Sequence, residues 1–168
     1  MVPLRHETEA QYLIAQLKFH KGYREAKTLA ACMAKQIDHT YGETPKPSAL
    51  VTTPLSYLSL VRRGYNQSAL FAQTLAKALD IDLIAPITKK QTAPQRKMSR
   101  QARLSLGANV FRVTKPITHR HVVLVDDVLT TGATVKAMAN ALHESGVTRV
   151  DVWCATRAVD TVGNVHTL

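Results

Sequence analysis

The stretch VVLVDDVLTTGAT, Val122 to Thr134, decides the reading of this chain. Val122, Val123, Leu124 and Val125 form a short β-branched, apolar run, the pattern of a strand buried on both faces of a parallel sheet. The run is expected to stop at two carboxylates, Asp126 and Asp127. Gly132 then opens a helical pattern, and Thr130 and Thr131 stand where an N-cap is expected. Val135, Met138, Ala139 and Leu142 recur at helical spacing, and Gly146 is placed to end the helix. The order is strand, acidic corner, hydroxyl-rich turn, helix.

This order has a chemical meaning. A turn entering a helix presents unpaired backbone N–H groups, and the helix dipole adds partial positive charge there. The small residues Thr130, Thr131, Gly132, Ala133 and Thr134 let a phosphate come close, and the hydroxyls add donors. The turn therefore suits one phosphate monoester. Asp126 and Asp127 would repel that phosphate, so they suit sugar hydroxyls or a hydrated magnesium ion shared with the ligand. A 5-phosphorylated ribose carrying a metal-bound leaving group satisfies both halves. The rival reading is a Walker B strand, but that needs a GxxxxGK[ST] loop, and none of the seven glycines makes one, nor a GxGxxG. The plainer alternative is an acidic strand end followed by a capped turn, which is common in α/β folds. The joint occurrence of acid pair, threonine turn and helix at these offsets favours the sugar-phosphate site.

Working outward, residues 8–20 and 23–41 read as two helices, the second Ala-rich with Leu29, Ala30, Met33, Ala34 and Ile37 on one face. Ala49–Thr53 reads as a strand stopped by Pro54. After a loop, RRGYNQ leads into a helix whose buried side is Ala69, Ala72, Leu75, Ala76 and Leu79. Ile81–Ile87 reads as a strand, residues 88–107 as a long basic loop, Asn109–Val113 and Arg149–Cys154 as further strands. His119 and His121 read as surface or strand-edge residues, since two histidines alone make no metal site. These elements predict an α/β fold with a mainly parallel, twisted sheet, helices on both faces, and a ligand site at the carboxyl ends of the strands.

The 168 residues suggest one domain spanning 1–168, and 45% hydrophobic content suffices for a single core. No apolar run of about 18 residues is present, so no membrane span is expected. No secretory h-region is visible, and Cys32 and Cys154 form neither a metal motif nor a convincing disulfide, which predicts a cytoplasmic setting. The net charge is +10, and from Leu83 to Val125 there are nine Lys or Arg and no acid. Such a stretch beside a phosphate site predicts an anionic ligand, nucleic acid, or both. Single-stranded DNA is thus a candidate partner, although 5% aromatic content is low for a base-stacking platform.

The 122–134 segment resembles the diphosphate-ribose (PRPP) motif of type I phosphoribosyltransferases. With RGYNQ at Arg63–Gln67 and the TAPQ…R…NVF pattern of residues 92–111, the chain resembles the ComF/GntX group of that superfamily over about residues 12–158. The resemblance implies a type I phosphoribosyltransferase-like fold, with residues 1–42 as a helical cover. It implies PRPP binding at Asp126, Asp127 and Thr130 to Thr134, with Mg2+ held at the acid pair through water. It implies a pyrophosphate loop with backbone N–H groups of Leu55, Ser56 and Tyr57 and charge from Arg62 or Arg63. It also implies a flexible loop, residues 88–107, in which Lys89, Lys90, Arg96 and Arg103 neutralise departing pyrophosphate. The group's N-terminal zinc ribbon has no counterpart, because no CxxC occurs, and no zinc is expected in this chain. The implied activity is phosphoribosyl transfer to an acceptor that no signature in the sequence identifies, with no residue assigned as a covalent nucleophile. Two other readings follow from the same group: a non-catalytic nucleic-acid-handling role in competence or DNA utilisation, and a PRPP-sensing regulator. A second copy of the chain or a component of the competence machinery is the corresponding protein partner.

Overall fold

The computed structural model describes residues 4–5, 12, 14–16, 23–55, 61, 64–89 and 110–157. In chain order the elements are β1 (Leu4–Arg5), α1 (Tyr23–Tyr41), β2 (Ala49–Thr52), α2 (Gln67–Leu79), β3 (Asp82–Ile84), β4 (Ile87–Lys89), β5 (Phe111–Val113), β6 (His121–Leu129), α3 (Ala133–Glu144) and β7 (Arg149–Arg157). Five strands form one sheet in the order β1-β7-β6-β2-β3, and every pairing in it is parallel. β4 and β5 pair antiparallel as a separate two-stranded sheet. This is the expected α/β fold with a parallel central sheet.

The apolar alternation of β6 assigns the two faces. Val123 and Val125 pack with Leu50 and with Leu29, Met33, Phe71 and Leu75 of α1 and α2. Val122 and Leu124 pack with Ala49, Val51 and with Val135, Met138 and Leu142 of α3. So α1 and α2 cover one face and α3 the other. β2 continues through α2 to β3 on one side, while β6 continues through α3 to β7 on the other. The chain therefore winds away in opposite directions from the boundary between β2 and β6. Open parallel sheets hold ligands in the crevice at the carboxyl ends of such diverging strands.

Three features depart from the sequence reading. β6 does not stop at Asp126 but runs to Leu129, because β7 pairs with it out to Leu129↔Arg157. Ile81–Ile87 is not one strand: β3 ends at Ile84, and Ile87 opens β4 in the other sheet. Pro86 lacks an N–H and disfavours helix or regular continuation at Ala85, while its carbonyl accepts from Thr114 N at 2.7 Å. Thr88 and Lys89 are therefore strand residues rather than loop, paired with Arg112 and Phe111. The helix expected over 23–41 is present with those bounds, whereas of the helix expected over 8–20 only residues 12 and 14–16 are described, as helical.

At the amino-terminal edge of the sheet, Asp151 of β7 ties α1 down. Its Oδ2 accepts from Tyr41 Oη at 2.6 Å and Arg149 Nη2 at 3.1 Å, and lies 2.8 Å from His121 Nε2. Tyr41 also meets Trp153 edge-on, with ring centroids 5.9 Å apart. Burial alone would raise the Asp151 carboxyl, but hydrogen bonds from Tyr41, His121 and Arg149 outweigh it and hold it below the ordinary carboxylate value. A carboxylate depressed in the folded state adds stability above its unfolded pKa, and that stability is lost as pH falls through the folded value. Asp151→Asn should thus lower the melting temperature at pH 7, with a loss on the order of 2 kcal/mol for hydrogen bonds to a charged acceptor. Thermal melts at pH 7 and pH 3 should show the difference from wild type shrinking at the lower pH; an undiminished difference would contradict the network.

Candidate functional site

The carboxyl end of β6 carries the acid pair. β2 stops at Thr52, and its pairing with β6 ends at Val125. Thr53 follows it for one residue more, its N–H and hydroxyl both lying 3.3 Å from the Val125 carbonyl. Beyond that point Asp126 and Asp127 border the space that β2 has left. The amino end of α2 enters there. Asn66 caps α2 with its Oδ1, which accepts from Ala69 N at 3.2 Å, while its Nδ2 donates to the Thr53 carbonyl at 3.0 Å. Asparagine is a favoured N-cap because its short side chain reaches the first free amides. Two residues on, Ser68 Oγ reaches Asp126 Oδ1 at 3.1 Å and Asp127 Oδ1 at 3.4 Å. Asp127 N also donates to Asp126 Oδ1 at 3.0 Å.

Two carboxylates so close, and largely out of water, resist full ionisation. Burial first, and the charge of Asp127 second, push Asp126 up from an ordinary 3.8 to about 7. A cation or a set of ligand hydroxyls would relieve this charge. Among the described residues, no group of three or more His, Cys, Asp or Glu is gathered that could cage a metal ion. Asp126 and Asp127 supply oxygen donors only, the donor type that suits a hard cation whose remaining ligands are water and substrate oxygens. Cys154 lies opposite Asp126 in the ladder, and burial, with the charge of Asp126 second, pushes its thiol up to about 12, which disfavours the thiolate.

The turn after β6 is built differently from its sequence expectation. Gly132, not Thr130 or Thr131, is the N-cap of α3, with φ 73 and no side-chain cap. An L side chain is strained at that angle, which is why glycine stands there. Without a side-chain cap, amides of the first turn stay available: the intrahelical ladder starts with Lys136 N to Gly132 O at 2.8 Å, and Ala133 N has only a long 3.4 Å contact to Thr131 Oγ1. Thr130, Thr131, Ala133 and Thr134 are exposed. The turn thus offers N–H donors and hydroxyls to solvent, directly after the acid pair in the chain.

The other expected site residues divide between described and not. Leu55 is described and half-buried just after β2. Lys89 ends β4, its Nζ 6.0 Å from the centroid of Phe111. Ser56, Tyr57, Arg62, Arg63, Lys90, Arg96 and Arg103 lie outside the described residues. Gly64, Tyr65 and Asn66 line a cavity of about 450 Å³ together with Tyr23, Leu70 and Leu83. Sequence reasoning assigned no role to Asn66, Gln67 or Ser68. Gln67 is 2% exposed with Oε1 unpartnered among the described residues. A polar Asn-Gln-Ser run at the start of an otherwise apolar helix face was the available signal.

This chain matches the phosphoribosyl transferase domain over residues 65–162, more than half of its length. The chain belongs to that family. It is 36% identical over 151 residues to the DNA utilization protein YhgH of Escherichia coli (strain K12), covering 88% of this chain and 66% of that protein. It is 34% identical over 167 residues to Competence protein F of Haemophilus influenzae, covering 94% of this chain and 72% of that one. The chain therefore spans about two thirds of the length of these curated relatives. Among solved structures, the fold is shared with the glutamine phosphoribosylpyrophosphate amidotransferase from B. subtilis, with TM-score 0.53 and 19% identity over 77% of this chain and 26% of that one. The competence and DNA-utilization names agree with the ComF/GntX resemblance of the three sequence motifs.

The acid pair generates a test of its own. A carboxyl raised in the folded state binds a proton that the unfolded chain releases, so stability falls as pH rises between the ordinary value of 3.8 and about 7. Asp126→Asn should remove that loss. Ligand-free Asp126→Asn protein should melt several degrees above wild type at pH 8 and closer to it at pH 5. A lower melting temperature than wild type at pH 8 would contradict the crowded-carboxylate account.

Proposed function

We propose that this chain, as one phosphoribosyltransferase domain over residues 1–168, binds PRPP with Mg2+ and transfers its phosphoribosyl group to a nucleophilic acceptor, releasing pyrophosphate. The observation that carries this reading is the pairing of a crowded acid pair with a glycine-capped helix turn at the carboxyl end of one strand, on the boundary where the sheet reverses its winding. The carboxylates of Asp126 and Asp127 accept hydrogen bonds from the two ribose hydroxyls. The N–H groups of the α3 first turn and the hydroxyls of Thr130, Thr131 and Thr134 donate to the 5-phosphate. Magnesium, when bound, neutralises charge on the diphosphate and on the acid pair. Backbone groups from Leu55 onward and the basic residues Arg62, Arg63, Lys89, Lys90, Arg96 and Arg103 take the diphosphate charge.

In the reaction the bond from ribose C1 to the diphosphate oxygen breaks, and its electron pair leaves with pyrophosphate. The acceptor's lone pair forms the new bond to C1, and the acceptor releases a proton. The chain's contribution is to fix the ribose at one end by the acid pair and at the other by the phosphate turn, and to stabilise departing charge. No side chain forms a covalent intermediate. Solution in the cytoplasm agrees with this chemistry, and among the described residues no helix is long and apolar enough to cross a membrane.

A second reading rests on charge. Nine Lys or Arg without an acid from Leu83 to Val125 suit a nucleic-acid backbone, and the names of the relatives point to DNA use. In that reading PRPP is a regulatory ligand or is absent. Calorimetry with PRPP and Mg2+, joined to pyrophosphate release over a panel of nucleobases and amines, separates the two. Wild type should bind PRPP; Asp126→Asn with Asp127→Asn, and separately Gly132→Val, should weaken it at least about a hundredfold, as loss of several charge-assisted hydrogen bonds requires. Thr131→Ala should weaken PRPP binding while leaving stability within about 0.5 kcal/mol of wild type, because Gly132 caps α3 without a side chain. Unchanged PRPP affinity in Gly132→Val would refute the phosphate turn. No PRPP binding by wild type, with single-stranded DNA bound in a strongly salt-dependent way, would establish the second reading instead.

A further inference from the structure

Successive residues of a strand point to opposite faces of its sheet. Asp126 and Asp127 are successive residues of β6, yet their Oδ1 atoms both lie within reach of one hydroxyl, Ser68 Oγ, at 3.1 and 3.4 Å. The apolar residues around them show how this arises. Before the pair, Val123 and Val125 belong to the cluster under α1 and α2, and Val122 and Leu124 to the cluster under α3. After it, Val128 packs against the first cluster and Leu129 belongs to the second. The alternation changes phase across the acid pair, while the register with β7 stays constant from His121↔Arg149 to Leu129↔Arg157. The side chains change faces across the pair, and the two neighbouring carboxylates converge on one hydroxyl instead of diverging.

Convergent carboxylates repel one another, so something must hold them. Ser68 lies 58 residues away in the chain from Asp126, is 2% exposed, and stands in the first turn of α2. Its hydroxyl carries one proton and donates it to one Oδ1 or shares it between both. Asn66, two residues earlier, grips the Thr53 carbonyl. The first turn of α2 thereby connects the end of β2, where the diphosphate end of the ligand is expected, to the ribose end on β6.

We propose that Ser68 is a positioning residue for the sugar: its hydroxyl holds Asp126 and Asp127 convergent, so that the pair grips both ribose hydroxyls, and it couples that grip to the placement of α2. The inference rests on the PRPP reading above and deepens it. It assigns to the third residue of the run Asn66-Gln67-Ser68 a role in binding affinity for the sugar, separate from affinity for the phosphate.

Two variants test it. Ser68→Ala removes the donor. Ser68→Cys keeps the approximate volume but substitutes a weak donor for a strong one. Calorimetry would measure PRPP with Mg2+ and, separately, inorganic phosphate alone, alongside the melting temperature. Both variants should weaken PRPP by about tenfold, the effect of losing one hydrogen bond to a charged group. Phosphate affinity should stay within about twofold of wild type in both, since its turn lies on α3. PRPP affinity equal to wild type in Ser68→Ala would overturn the inference and leave the proposed function standing. Retention of PRPP affinity in Ser68→Cys but not Ser68→Ala would also overturn it, by showing that volume rather than the donor matters. Parallel loss of PRPP and phosphate affinity would overturn it as well, by making Ser68 a residue of general stability. Failure of wild type to bind PRPP at all would remove the proposed function and this inference together.

Discussion

Two carboxyl groups held side by side at the end of a buried strand are the constraint on which the rest of this structure depends. β6 is buried from Val122 to Val125 on both faces, so its path is fixed by core packing before it reaches the acids. The ladder with β7 then carries the chain past them, where an isolated strand would be expected to fray. What remains adjustable is the surroundings. β2 ends early, α2 brings a hydroxyl, and a glycine in the left-handed region turns the chain into α3. The hydroxyl adds a hydrogen-bond donor at the acid pair, and the glycine turn leaves amide donors available directly after it in the chain. A protein interior tolerates such a pair when a ligand or ion completes it, and strongly shifted groups gather at sites of function for that reason.

Most of the architecture was legible in the sequence because it rests on periodicity. The apolar run of β6 and the 3.6-residue pattern of α1 and α3 arise from burial, which sequence displays directly, and the stop at Gly146 arises from the positive φ of 93 that glycine accepts. The parts that were not legible rest on pairing partners. Whether Asp126 and Asp127 end the strand depends on how far β7 follows alongside, and β7 is set by residues after a helix. Whether Ile87 continues β3 depends on Pro86 and on Val113, more than 20 residues away, with which Ile87 pairs. The capping of α3 was misread for a different reason: threonines outrank glycine as N-caps on average, but the tight turn out of β6 requires positive φ, and that requirement outweighs the average.

The candidate site divides the same way. The acid pair and the phosphate turn were legible because they are contiguous, so one stretch of chain carries the chemistry. Ser68 was not, because its meaning exists only once α2 is packed on the face of Val123 and Val125. Asn66 was named as part of a motif but not as a cap, and its second bond to Thr53 becomes visible only with β2 in place. Contacts of high sequence separation are where a linear reading loses information, and here they are the contacts that shape the site.

We propose that a phosphorylated ribose binds at the carboxyl ends of β2 and β6. The most direct measurement is a titration of the isotopically labelled, resonance-assigned protein with ribose 5-phosphate and Mg2+, followed by amide chemical shifts. The amides of Asp126, Asp127 and Thr130 to Thr134 should shift together and saturate with one common affinity, while those of Tyr41, Arg149 and Asp151 at the opposite edge of the sheet stay still. Saturable shifts confined to that opposite edge, or no saturable shift anywhere, would contradict it.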